Sequence, residues 1–226
     1  MTKRSKFIAR YGVIAALVAV SVFMDMAISK IMLPILPVEA VIVTTLTVMT
    51  MCQLFDYKTA VFTTTLLGTV SFIIAFVLPV GIPGASGEPI FPFQNPLVSL
   101  LPRILIGLGC YPTFIGLKKL FKNNKSAFVR EILPRSLGAA AGTLINTVGV
   151  LGMIAVFYES TVILTILTVV LAFNFAAEFI VSLILTPIIS FRVSKRTTVN
   201  EGIAVVNTPA ADIWTDAAAR NDGEDK

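Results

Sequence analysis

Arg103 is a permanent cation seven residues into an apolar run that extends from Pro96 to Leu117. Insertion into hydrocarbon costs a guanidinium at least ~2.5 kcal/mol, so such a residue faces a cavity, an acidic partner or an anionic ligand. Three more polar side chains interrupt apolar sequence: Asn146 in Gly142-Thr143-Leu144-Ile145-Asn146-Thr147, and Asn174 with Glu178 four residues later. That spacing puts the last two on one helical face. A guanidinium grips a carboxylate through charge-assisted hydrogen bonds, and amides and a carboxylate beside it fix hydroxyl and amide groups. The chemistry on offer is recognition of a small anion. With no histidine in the chain and no serine paired with an evident base, catalysis is not expected.

These residues are carried on long apolar segments. Of the 226 residues 56% are hydrophobic and only 14% charged, and the apolar residues fall in runs too long for the core of a water-soluble domain. About 20 residues cross the ~30 Å of bilayer hydrocarbon, and Phe7–Leu33, Val38–Phe55, Thr59–Val80, Pro96–Leu117 and Pro134–Phe157 fit that template. The run Thr161–Phe191 would reach about 46 Å as one straight helix. A break near Asn174 is therefore expected, with Thr161–Ala172 along the outer surface and a sixth span from Asn174 to Arg192, or else a single tilted helix carrying both parts. The expected fold is an all-α integral membrane bundle of six transmembrane helices over residues 1–196, followed by a polar tail, 197–226, disordered or weakly helical.

Orientation follows from the basic residues, which stay on the cytoplasmic side. With both termini cytoplasmic, Lys3, Arg4, Lys6, Arg10, Lys58, Lys118, Lys119, Lys122, Lys125, Arg130, Arg135, Arg192, Lys195 and Arg196 lie inside, against Lys30 outside. The net charge of +5 then reflects topology and not nucleic-acid binding. The basic start before Phe7 resembles a secretory signal, but its apolar run is too long, so an uncleaved first span is expected.

Connections and small residues add further candidates. Pro34 and Pro37 stiffen the turn after the first span, and the proline- and glycine-rich linker 79–95, including Pro83, Phe91 and Phe93, has the composition of a lid or of a mere connection, the lid being the expectation. Gly12 with Ala16, and Ala15 with Ala19, form stripes on the first span where a separate protein could dock closely. Each polar residue also has a plainer use. Arg103 and Glu178 could close an ion pair, the asparagines could join helices, and Gln94 and Asn95 could cap the helix that follows. Lys30 suits the interface, and Asp25 could pair with it or meet water. The threonines of spans two and three are expected to return their hydroxyls to the preceding turn. Cys52 and Cys110 offer no metal-ligand spacing and read as small buried residues.

The stretch from Phe93 to Leu108, Phe-Gln-Asn-Pro-Leu-Val-Ser-Leu-Leu-Pro-Arg-Ile-Leu-Ile-Gly-Leu, resembles the fourth-helix signature of the substrate-binding S components of energy-coupling factor (ECF) vitamin transporters. Gly142 to Gly152 is similar to their fifth-helix pattern, and Ala177-Glu178 with Leu185-Thr186-Pro187-Ile188-Ile189 to their sixth. The resemblance implies a multi-pass receptor of the bacterial plasma membrane that works with a transmembrane coupling protein and two cytoplasmic ATPases. ATP and Mg would be bound by those partners, since no nucleotide motif occurs here. It implies that Arg103 takes the carboxylate of a vitamin, pantothenate first, with Gln94, Asn95, Asn146, Asn174 and Glu178 around it. The stripe Ala15 and Ala19 would dock on the coupling subunit, and the turn Pro34–Pro37 and the linker would gate the ligand. Folate, riboflavin or thiamine remain alternative vitamins, and a self-contained secondary transporter an alternative class.

Overall fold

The computed structural model describes residues 3–32, 42–79, 82–83, 88–158 and 175–206. The expected surface segment Thr161–Ala172, the turn prolines Pro34 and Pro37, Asn174, and the tail from 207 onward lie outside the described residues.

The described chain is built of six α-helices: α1 (Lys3–Met32), α2 (Ile42–Leu54), α3 (Tyr57–Val77), α4 (Pro96–Leu120), α5 (Leu133–Phe157) and α6 (Phe175–Val206). Five of them are long and apolar enough to cross a membrane. The exception is α2, whose 13 residues span about 20 Å. In the linker before α4, Ile82–Pro83 and Pro89–Ile90 form a two-residue antiparallel ladder, and Pro92–Gln94 make a single 3-10 turn. A π-helical turn, Phe128–Ile132, leads into α5. The α6 helix continues to Val206, past the expected end of the bundle at 196; residues 191–226 form a separate compact unit from residues 1–190.

Polarity is inverted relative to a water-soluble domain. Phe23, Val77, Val148, Val156 and Ile180 are among the large apolar side chains that point outward, while Thr59, Thr63, Thr64, Ser99, Thr143, Ser182, Thr186 and Ser190 are fully buried. Lipid tails accept the apolar exterior, so small and hydroxylated residues are left for close helix contact. Several threonines behave as the sequence suggests, with Thr63, Thr64, Thr65 and Thr69 bonding to carbonyls one turn back. Cys52 and Cys110 are both completely buried in the apolar core.

The α4 helix is the central element, packed along α5 on one side and α3 on the other. Gly107 makes the second contact possible: a Cβ there would stand 2.5 Å from the Thr64 hydroxyl and 3.0 Å from the Val61 Cα. Across the α4–α5 contact Gly149 fits against Pro102 and Gly138 against Phe114, which fixes an antiparallel register. Thus Gly138 and Gly142 serve internal packing. Gly12 and Ala16 on α1 are instead exposed, and among the described residues nothing lies within 4 Å of where a Gly12 side chain would begin.

Candidate functional site

The α4 helix starts at Asn95, whose side chain accepts a hydrogen bond from Leu97 N at 3.0 Å, with Pro96 in the first turn. Six residues later Pro102 interrupts it. Proline has no N–H, so the carbonyl four residues earlier, that of Val98, loses its helical donor. Arg103, the next residue, supplies the substitute: its Nη1 donates to Val98 O at 2.9 Å. The side chain therefore runs back toward the start of α4 and lies 5.7 Å from the centre of the Phe93 ring.

Around this half-buried guanidinium the other helices contribute polar groups. Glu178, 9% exposed in the first turn of α6, lies within electrostatic range of both Arg103 and Asp25. Arg103 and Glu178 do not form an ion pair within 4.0 Å among the described residues, so the simple buried pair considered from sequence is not what holds them. Asp25 does not turn to Lys30. Its two carboxylate oxygens accept from Val43 N at 2.9 Å and Thr44 N at 2.7 Å, capping the start of α2 from α1. The first N–H groups of a helix need acceptors, and the positive end of its dipole favours an anion there.

Asn146 belongs to the same region by register. Thr143 on α5 and Ser182 on α6 place their hydroxyls 3.0 Å apart, and one turn along these antiparallel helices brings Thr147 level with Glu178. Among the described residues the Asn146 Oδ1 is buried without a hydrogen-bond partner, as is the Thr44 hydroxyl. Unpaired buried acceptors and hydroxyls mark positions for a water or a ligand atom. Gln94 and Asn95 are used within the fold: the Gln94 amide donates to Ala75 O on α3 at 3.1 Å, and Asn95 caps α4. Phe91 accepts the 3-10 bond from Gln94, and Phe93 packs against Val98, Val150 and Ile154. Pro83 sits in the small ladder beside them.

Sequence reasoning missed a stripe on α6. Glu178, Ser182, Thr186 and Ser190 recur every four residues, and all are buried. The signal was present as an i, i+4 series within an apolar segment. It extends the polar region through the bundle to Ser190, which donates to Gln53 Oε1 at 2.9 Å, while Gln53 Nε2 donates to the Arg135 carbonyl at 2.7 Å. Also missed was the burial of Arg135, 3% exposed at the far end of α5. Its Nη1 bonds both the carbonyl of Glu131, at 2.7 Å, and its carboxylate, at 2.9 Å, and the guanidinium lies over Phe114.

No protein-family model matches the chain, and no curated protein matches it as a relative. Among the described residues no group of three or more histidine, cysteine, aspartate or glutamate side chains is placed to hold a metal ion.

Proposed function

We propose that this chain is the substrate-binding S component of an ECF transporter, a six-span receptor of the cell membrane that binds a small anionic vitamin, pantothenate first. The observation that carries the reading is the state of Arg103. One of its five N–H groups is engaged by Val98 O, Phe93 flanks it, and no carboxylate pairs with it among the described residues. Donors so placed suit a ligand carboxylate. Glu178 and the unpartnered Asn146 amide oxygen would accept from hydroxyl and amide groups of the same ligand. Gln94 and Asn95 act on this reading by holding Phe93 and the start of α4.

In the proposed orientation both termini and the α4–α5 hairpin are cytoplasmic. The Arg103 end then faces outward, where Pro34, Pro37 and the linker before α4 would gate entry. Energy would come from a coupling protein and two ATPases. The exposed Gly12 and Ala16, with the half-buried Ala15 and Ala19, supply the smooth face on which the coupling protein would dock.

Calorimetry of the purified chain against a panel of B vitamins tests the reading directly. Binding of one anionic member at one site, weakened at least about tenfold in Arg103→Ala, is the expected result. Binding unchanged by that substitution, or uptake into liposomes without any ATPase, would overturn it.

A further inference from the structure

At the opposite end of the bundle from Arg103, the α4–α5 hairpin presents charge that the described residues leave uncompensated. Between Lys118 and Arg130 the sequence has five basic residues and no acidic one. The next residue, Glu131, is the sole carboxylate of the hairpin, and it is shared: Arg135 holds it at 2.9 Å, with Lys118 and Arg130 each at 3.8 Å. Lys119, Lys122 and Lys125 are exposed and have no ion-pair partner among the described residues. Beside them two large apolar side chains also point outward, Leu120 at 72% exposure and Phe128 at 59%.

The level of this patch follows from helix length. With 25 residues α4 extends about 37 Å, more than the ~30 Å of hydrocarbon, so its last turn reaches the headgroup region. The hairpin is also held firmly there. Arg135 ties the π-helical turn to α5, stacks on Phe114 of α4, and through its carbonyl engages Gln53 of α2.

We propose that this hairpin is a docking surface for anionic phospholipid headgroups, with Lys119, Lys122 and Lys125 taking the phosphates while Leu120 and Phe128 enter the acyl boundary. The chemistry is that of a basic juxtamembrane segment on a negatively charged leaflet, reinforced by apolar insertion. It stands independently of the receptor reading and holds whichever solute the Arg103 end binds.

The test equilibrates the full-length chain in mixed micelles with equal amounts of phosphatidylglycerol and phosphatidylcholine, then quantifies retained lipid by mass spectrometry. Wild type should retain the anionic lipid about tenfold or more in preference, and K119Q/K122Q/K125Q should bring the ratio close to unity. K30Q, on the other end of α1, should leave the preference unchanged. Raising salt to about 0.5 M should abolish it in the wild type, without any substitution that could disturb folding. A wild-type chain that shows no preference, or a triple variant or high-salt sample that keeps it, would overturn the proposal.

Discussion

Arg103 and Arg135 are two arginines on neighbouring helices in one bundle, and the fold treats them differently. Arg135 is closed: a carboxylate four residues away, a backbone carbonyl and an aromatic face surround it, and it is almost wholly buried. Arg103 is open: among the described residues a single carbonyl, freed by Pro102, accepts from it, Phe93 lies to one side, and Glu178 is reached only through space. A charge held by a carboxylate, a carbonyl and a ring of its own fold serves the fold. A charge left with spare donors inside the same bundle is available to something else, and this asymmetry locates the candidate site at the Arg103 end.

The sharpest way to break the comparison is to truncate both. Arg135→Ala removes the ion pair and the stacking on Phe114, and should destabilise the protein by about 3 kcal/mol in reversible unfolding from mixed micelles. Arg103→Ala loses one hydrogen bond and leaves Val98 O unpaired, so its stability loss should be smaller, about 1 kcal/mol. Its main effect should appear in the vitamin titration, as affinity weakened roughly 10- to 100-fold, the range of a charge-assisted contact. Equal losses of stability with no change in binding would make the two arginines equivalent and remove the distinction.

A smaller effect tests how the Arg103 end is assembled. Asp25→Ala deletes both acceptors for the first N–H groups of α2, and should cost about 1 kcal/mol, the usual value of a cap. Asp25→Asn, which keeps an acceptor oxygen, should recover part of it. If amide hydrogen exchange at Val43 and Thr44 is unaffected by either change, the carboxylate is not what holds the start of α2.

Much of this was legible in the chain because a membrane makes polar residues conspicuous. Arg103, Asn146 and Glu178 stand out against their apolar neighbours, and the helices that carry them follow from hydrophobic run length. The freed carbonyl was in principle legible too, since a proline followed by arginine both removes a donor and supplies one. What sequence could not give were partnerships made across the fold: Asp25 reaching α2, 18 and 19 residues away, and Gln53 joining Arg135 and Ser190 at separations of 82 and 137. Such bonds depend on helix register, which is set by glycine contacts such as Gly149 on Pro102. Local periodicity carries no record of them. For that reason Asp25 looked like a candidate for Lys30, and Arg135 like one more surface charge.

The smallest prediction concerns acid. Near the Arg135 end, Asp56 precedes α3, accepts from the Thr59 hydroxyl at 2.7 Å and pairs with Arg10 of α1. The Thr59 hydroxyl, followed by Arg10, holds its carboxyl below the ordinary aspartate value. A depressed folded-state value means that the unfolded chain takes up the proton first, so this pair stabilises the protein above the ordinary aspartate range, and the contribution fades as pH falls through the folded value. Because Asp56 is about half exposed, with a side-chain accessibility of 52%, solvent screening should keep the effect below about 1 kcal/mol. Comparing wild type with Asp56→Asn in micelles, the difference in melting temperature should be present at neutral pH and shrink as pH is lowered through and below the ordinary aspartate range. A difference that persists unchanged in acid would mean that Asp56 acts through its shape at the start of α3 and not through its charge, and the ion pair to α1 would then contribute nothing to the closed end of the bundle.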